Sequence, residues 1–212
     1  RGLVGIIAPE SIMAQGIIET IRWAILIIWL IWLVLYWGAG LGLVVNVARS
    51  FRSRRFFYDR FFILGLVLLS NLILWTGYML LRGRLAEPIA QSGWLLTAAG
   101  GGMALVGAAG TFWCRRQMRA SWSAHTLPVP NQPLVDHGPY RVVRHPIYAF
   151  ACLMTLGTVM VFPTWWNCLA GAGMATLYVF KLQFEEKVLD SSLQGYRQYR
   201  FRVRYRLLPY IW

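Results

Sequence analysis

Residues 146–180 read PIYAFACLMTLGTVMVFPTWWNCLAGAGMATLYVF, 35 positions without an Asp, Glu, Lys or Arg. A membrane-crossing helix needs about 20 mostly apolar residues, so this run is too long for one helix. Pro163 stands near its middle. Proline lacks the backbone N–H that the preceding turn needs, and its ring clashes with that turn. The run therefore predicts two short helices, Ile147–Val161 and Thr164–Lys181, joined at the proline as a tight hairpin. Each is marginal for a full crossing.

Working outward, residues 23–48, 61–81 and 88–114 are also free of charged side chains, and each is long enough for one span. The chain is 58% hydrophobic and 14% charged, whereas a soluble domain carries about 25% charged residues. The reading is an all-α polytopic membrane protein with five membrane helices. Residues 1–119 form its first three helices, and residues 120–212 form a separate C-terminal region. No signal peptide is recognisable, and the first residue is Arg, which suggests a missing or processed N-terminus.

The net charge of +13 has a membrane explanation. Arg49, Arg52, Arg54, Arg55 and Arg60 lie between helices one and two. Arg115, Arg116, Arg119, Arg141 and Arg144 lie between helices three and four, and Arg197, Arg200, Arg202, Arg204 and Arg206 follow helix five. The loop between helices two and three holds only Arg82 and Arg84, offset by Glu87. Cytoplasmic loops collect Lys and Arg, so the pattern places the N-terminus outside and the C-terminus inside, and no nucleic-acid partner is needed. Of the 21 basic residues only Lys181 and Lys187 are lysine. That bias suggests a GC-rich, bacterial coding sequence and hence an inner-membrane location with the site facing the cytoplasm. Nothing in the sequence specifies an oligomeric state.

Several features read as structural. The three cysteines, Cys114, Cys152 and Cys168, have no CxxC spacing, so neither a disulfide framework nor a zinc site is expected. His125, His137 and His145 share one Pro-rich loop at spacings that match no common ligand pattern, and no metal is expected. The glycine-rich stretch AAGGGMALVGAAG, residues 98–110, lies inside a span, where small residues let helices approach closely. Asn71 reads as an interhelical hydrogen bond.

The chemistry concentrates elsewhere. Residues 137–148, HGPYRVVRHPIY, pack two His, two Arg and two Tyr against the start of the hairpin. Glu185 and Glu186 close its second helix on the same side. Adjacent carboxylates at a membrane boundary need positive partners to offset their desolvation. A cationic, imidazole-bearing cluster therefore faces a carboxylate pair, and a ligand with both a carboxylate and a positive centre suits both.

These residues resemble the isoprenylcysteine carboxyl methyltransferase family, part of a wider group that includes phospholipid and thiol methyltransferases. The pattern G-x-Y-x-x-x-R-H-P-x-Y is met by Gly138, Tyr140, Arg144, His145, Pro146 and Tyr148. E-E-x-x-L is met by Glu185, Glu186 and Leu189, and Y-x-x-Y-x-x-x-V by Tyr196, Tyr199 and Val203. The resemblance covers about residues 120–210. It implies S-adenosylmethionine as methyl donor, held between the loop before helix four and the C-terminal segment. It also implies cofactor contacts at His125, Gln132, Pro133, Leu134, Val135, Gly138, Tyr140, His145, Tyr148 and Glu185. Arg144 and Glu186 are the catalytic candidates, with Glu186 the nearest base for an amine or thiol acceptor. Lys181 stands where the family has a substrate-side arginine, and Phe150 where a glycine often follows the motif tyrosine.

The expected function is a membrane S-adenosylmethionine-dependent methyltransferase. Its partners are the lipid bilayer and a hydrophobic acceptor, a carboxylate, lipid or thiol, that enters from the membrane. The competing readings are a sterol-type reductase using NADPH, suggested by the ending YRLLPYIW, and a non-enzymatic membrane module.

Overall fold

The computed structural model describes residues 9–38, 57–83, 89, 93–118 and 133–212. Among these the chain is all helix: α1 Pro9–Gly38, α2 Phe57–Leu81, α3 Trp94–Met118, α4 Pro146–Val161, α5 Trp165–Ser192 and α6 Tyr196–Arg202. A 3-10 turn at Gly138–Arg141 precedes α4. Three helices are long and apolar enough to cross a membrane, over Ile12–Leu35, Phe61–Leu81 and Trp94–Met118. The shorter α4 is apolar as well. The first helix starts earlier than the uncharged run from residue 23 implied. It takes in Glu19 and Arg22, because a helix of this length tolerates charges near its end.

The break at Pro163 is where the sequence puts it. α4 opens on Pro146, whose fixed φ suits a first helical position, and stops at Val161. Thr164 caps α5, its hydroxyl accepting from the Asn167 N–H at 3.2 Å. The apex is buried: Val161, Phe162, Thr164 and Asn167 are all shielded. A helix break in an apolar setting frees backbone groups that must find partners inside the protein. Asn167 supplies one, donating its amide to the Phe162 carbonyl at 3.0 Å. Its own carbonyl oxygen accepts from Thr76 of α2 at 2.6 Å, which pins the apex to that helix. Pro163 in turn accepts from the Ile89 N–H at 2.8 Å, so the hairpin tip lies beside the start of α3. Trp94, Trp165 and Trp166 are exposed at this end, as suits an interfacial aromatic belt.

Helix α3 packs along α4 through its glycines. A Cβ on Gly100 would stand 2.7 Å from the Gly157 carbonyl oxygen, and one on Gly107 would collide with the Met154 nitrogen. Gly110 receives the Phe150 ring, so the phenylalanine beside the motif is accommodated by a glycine on the facing helix. Helix α1 is tied in by two buried tryptophans. Trp29 Nε1 donates to Thr158 at 2.8 Å and Trp32 Nε1 to Thr111 at 2.9 Å. Asn71 differs from the expectation. It is exposed and donates to Val67 of its own helix at 2.9 Å. The polar tie of α2 is Thr76, which points inward one turn further on.

Helix α5 also runs further than Lys181. Glu185 and Glu186 lie within it rather than at its end. At 1.5 Å per residue its 28 residues span about 42 Å, and only the stretch before Lys181 is apolar. The remaining turns carry the carboxylates to the end of the bundle away from the hairpin apex.

The glycine packing makes a controlled prediction. Gly107→Ala drives a methyl into the α4 backbone and should destabilise the protein by about 1–3 kcal/mol. A Cβ on Gly102 would meet nothing within 4 Å, so Gly102→Ala should be neutral or slightly stabilising. Thermal unfolding of both variants in one detergent checks the contrast, and equal effects would overturn it.

Candidate functional site

At the end of the bundle opposite the hairpin apex, three short segments are laced together. Gly138 adopts φ +59 to enter the 3-10 turn, a conformation glycine takes without strain. The turn buries Pro139 and Tyr140, and the Tyr140 carbonyl accepts from the Tyr199 hydroxyl at 2.7 Å. Tyr196, Tyr199 and Val203 form a small core of their own with Leu134, Leu189 and Leu193. Helix α6 therefore clamps the loop before α4 against the end of α5. Burial pushes the phenols of Tyr196 and Tyr199 well up, so both stay neutral.

The backbone continues the lacing. The Arg144 N–H donates to Tyr205 and the His145 N–H to Arg206, both at 2.9 Å. The Arg144 side chain then turns inward. Its Nε donates to Glu186 Oε1 at 2.8 Å, and its Nη1 donates to the carbonyls of Val203 and Arg204, both at 2.8 Å. His145 Nε2 lies 3.3 Å from the same carboxylate oxygen. Arg206 reaches the other oxygen at 3.1 Å and stacks on the Trp212 ring. Glu186 is thus buried among Arg144, His145 and Arg206. Burial alone would raise its carboxyl, but the hydrogen bonds from His145 and Arg144 and the charges behind them hold it at about 2, against an ordinary 4.5.

Glu185 points differently. It is only partly buried and accepts from the Tyr148 hydroxyl at 2.8 Å, with His145 Nδ1 at 4.0 Å. A row of rings leads away from it. His145 stacks on Tyr148, with ring centroids 5.7 Å apart, and Tyr148 stacks on Tyr178 at 5.1 Å. Phe62 of α2 packs beside both tyrosines. Lys181, buried one turn before Glu185, holds its ammonium 5.2 Å from the Phe62 ring centre.

The structure therefore brings Arg144, His145, Tyr148, Lys181, Glu185 and Glu186 into one cluster. Leu134 and Tyr140 sit beside it in the clamp, Pro133, Val135 and Gly138 lie on the adjoining loop, and His125 and Gln132 lie outside the described residues. Three participants were missed in the sequence: Phe62, Tyr178 and Arg206. Phe62 and Tyr178 look like ordinary span residues, and Arg206 is one arginine in an arginine-rich tail. The geometry also changes two expected roles. Arg144 and the N–H groups of residues 144 and 145 are committed inside the protein, so they do not present charge to a ligand. Glu186, held near 2 by its cations, is a weak proton acceptor, and its geometry is that of an anchor. Glu185 and Tyr148 form the less buried flank of the cluster.

These donors fit a cationic, zwitterionic cofactor. A carboxylate suits ribose hydroxyls or an ammonium, and ring faces suit a sulfonium or an adenine. The sequence model of the phospholipid methyltransferase family matches residues 95–194, a stretch that takes in most of α3 and all of α4 and α5. The resemblance seen in the motifs is borne out over that stretch. A protein of Bacillus subtilis (strain 168), the uncharacterized protein YpbQ, is 30% identical over 80 residues, which is 37% of this chain and 48% of that protein. The chain spans about half the length of this relative.

Removing Glu186 should be far more damaging than removing Glu185. Glu186→Ala leaves Arg144 buried without its counter-charge and should lose about 3–5 kcal/mol of stability. Glu185→Ala, at a partly exposed position, should lose at most about 1 kcal/mol. Because its folded pKa is depressed, the Glu186 contribution is complete above pH 4.5 and is lost as pH falls from 4.5 towards 2. Stability of the parent protein should therefore fall more steeply across that window than stability of Glu186→Gln. Parallel slopes would refute the assignment.

Proposed function

We propose that this chain is an integral membrane methyltransferase that uses S-adenosylmethionine and acts on a hydrophobic acceptor. One observation carries the reading: within the family-matched stretch, two motif segments 42 residues apart in sequence meet through Arg144 and Glu186 at 2.8 Å. Beside that contact stand Glu185, Tyr148 and His145.

In this reading α4 and α5 cross the membrane as a hairpin, which makes five crossings. The clustered arginines support a site at the cytoplasmic face, and the preference for Arg over Lys supports a bacterial inner membrane. Residues 120–212 then form the catalytic region, with α2 contributing Phe62. His145, Tyr148 and Glu185 hold the cofactor from one side. Pro133, Leu134, Val135, Gly138 and Tyr140, together with His125 and Gln132, hold it from the loop side. When bound, the cofactor supplies an electrophilic methyl group on sulfur, and the protein's task is to align an acceptor with it and keep water out. Arg144 and Glu186 act as positioning residues for this task. A carboxylate acceptor has no proton to remove and so needs no general base, which suits a site whose buried carboxylate is already neutralised. Lys181 is placed to hold the anionic head of such an acceptor.

Ligand-dependent thermal stability tests the reading first. S-adenosylhomocysteine at 100 times its Kd should stabilise the detergent-purified protein by about 2.7 kcal/mol, and NADPH should not. His145→Ala and Glu185→Ala should each weaken that binding by about 1–3 kcal/mol. A shift with NADPH alone would support a reductase, and no shift with either would leave a structural module.

Kinetics separate Lys181 from the cofactor set. Lys181→Met should raise KM for the acceptor while S-adenosylhomocysteine binding stays constant. Lys181→Arg should restore a carboxylate acceptor, because arginine offers it a planar fork. Equal activity of both variants and the parent would remove Lys181 from the site.

A further inference from the structure

Residues 205–212 fold back on themselves. The N–H groups of Arg206, Leu207 and Leu208 donate to the main-chain oxygen of Trp212 at 2.9, 2.9 and 3.1 Å, and the Trp212 N–H donates to the Leu208 carbonyl at 3.1 Å. Tyr210 turns the chain at φ 66, a value uncommon for a residue with a side chain. The Tyr205 and Tyr210 rings pack 5.3 Å apart, and Arg206 stacks on Trp212. The segment is a closed loop of defined shape.

Its position is fixed by α4. The carbonyls of Tyr205 and Arg206 accept from the Arg144 and His145 N–H groups, and α4 begins at the next residue, Pro146. The loop therefore stands level with the first turn of an apolar helix. Its outer side chains suit water poorly. Tyr210 is 88% and Ile211 79% exposed, and Leu208, Trp212 and, just before α4, Val142 are exposed as well. Large apolar side chains gathered on a surface mark an interaction site. Arg141 and Arg204 are exposed in the same two segments, and residues 196–212 hold five arginines and no acidic residue.

We propose that this loop is an interfacial anchor that docks on the anionic headgroups of the host bilayer. Leu208, Tyr210, Ile211 and Val142 enter the headgroup–acyl boundary, and Arg141 and Arg204 meet lipid phosphates. Two observations select a bilayer as the occupant. The loop is tied to the level at which α4 turns apolar, where the membrane surface lies in the five-crossing arrangement. Its make-up, aromatic and aliphatic residues flanked by arginine, is that of segments which lie in the plane of an anionic interface. The inference rests on the membrane placement of α4 and goes beyond the methyltransferase reading. Arg206 belongs to this loop and also to the Glu186 cluster, so the docked segment carries a cation of the candidate site.

The full chain in phosphatidylcholine nanodiscs, with or without phosphatidylglycerol, is the sample. A fluorescent amino acid introduced at Ile211 by nonsense suppression reports contact with lipids spin-labelled near the headgroup. The same reporter at Arg197, exposed on α6, is the water-facing control. At Leu156, exposed on α4, it is the bilayer control, read with lipids labelled at the chain end. Quenching at 211 should exceed that at 197 several-fold and should rise with phosphatidylglycerol. Arg204→Gln should lower the ratio of docked to undocked loop about fivefold, the effect of removing one cation from an anionic surface. Quenching at 211 no stronger than at 197, or indifferent to phosphatidylglycerol, overturns the proposal. Shielding of the 211 reporter from aqueous iodide without lipid quenching overturns it in favour of a protein partner. Failure of quenching at both 156 and 211 overturns the membrane placement of α4 together with the anchor. Quenching at 156 alone overturns only the anchor. S-adenosylhomocysteine binding, read on the same samples, reports the methyltransferase reading separately.

Discussion

Arg144 and Glu186 meet at 2.8 Å with almost no water around either side chain, and much of the functional end follows from that. A buried ion pair survives only when its remaining hydrogen-bonding groups are also satisfied. Here the Val203 and Arg204 carbonyls take the guanidinium Nη1, while Arg206 and His145 complete the carboxylate. The pair and its partners come from three segments of the chain, residues 144–145, residue 186 and residues 203–206. The pair can be buried only if the segment after α6 lies against the start of α4, and the backbone bonds from residues 144 and 145 to residues 205 and 206 hold it there. Once it is held, His145, Tyr148 and Glu185 have fixed places.

The other end of the hairpin has a parallel constraint. Pro163 interrupts a helix in apolar surroundings, and Asn167 answers the freed Phe162 carbonyl while bonding Thr76. The hairpin is thus fixed at both ends by polar groups and along its length by glycine contacts with α3. Two polar fixtures separated by an apolar stretch hold α4 and α5 in register, and with them the stacked rings of Tyr148 and Tyr178.

The fold class was legible because charge is so unevenly spaced along the chain, and the hairpin because Pro163 has one consistent reading inside an uncharged run. The motif residues Arg144, His145, Tyr148, Glu185 and Glu186 were legible as a group, since their chemistry is out of place beside a membrane. Their division of labour was not. Sequence places Glu185 and Glu186 side by side, but successive helix positions point about 100 degrees apart, so one faces the cations and the other faces Tyr148. Phe62 and Tyr178 were hidden for the opposite reason: an aromatic residue in a span looks the same whether it faces lipid or a site. Asn71 misled because it is the more conspicuous polar residue of α2, while Thr76, which reaches Asn167, can satisfy its own hydroxyl locally and looks unremarkable.

The length of α4 has a consequence for the surrounding lipid. Its 16 residues rise about 24 Å, several ångströms less than a typical hydrocarbon layer of about 30 Å. In the five-crossing arrangement proposed above, the bilayer thins to meet this helix, at a fraction of a kcal/mol per ångström of mismatch. In that arrangement, thinning brings the headgroup plane down towards Tyr148 and Lys181. It also makes the protein sensitive to acyl-chain length in its host membrane: thick bilayers resist the deformation, and thin ones accommodate it with little strain.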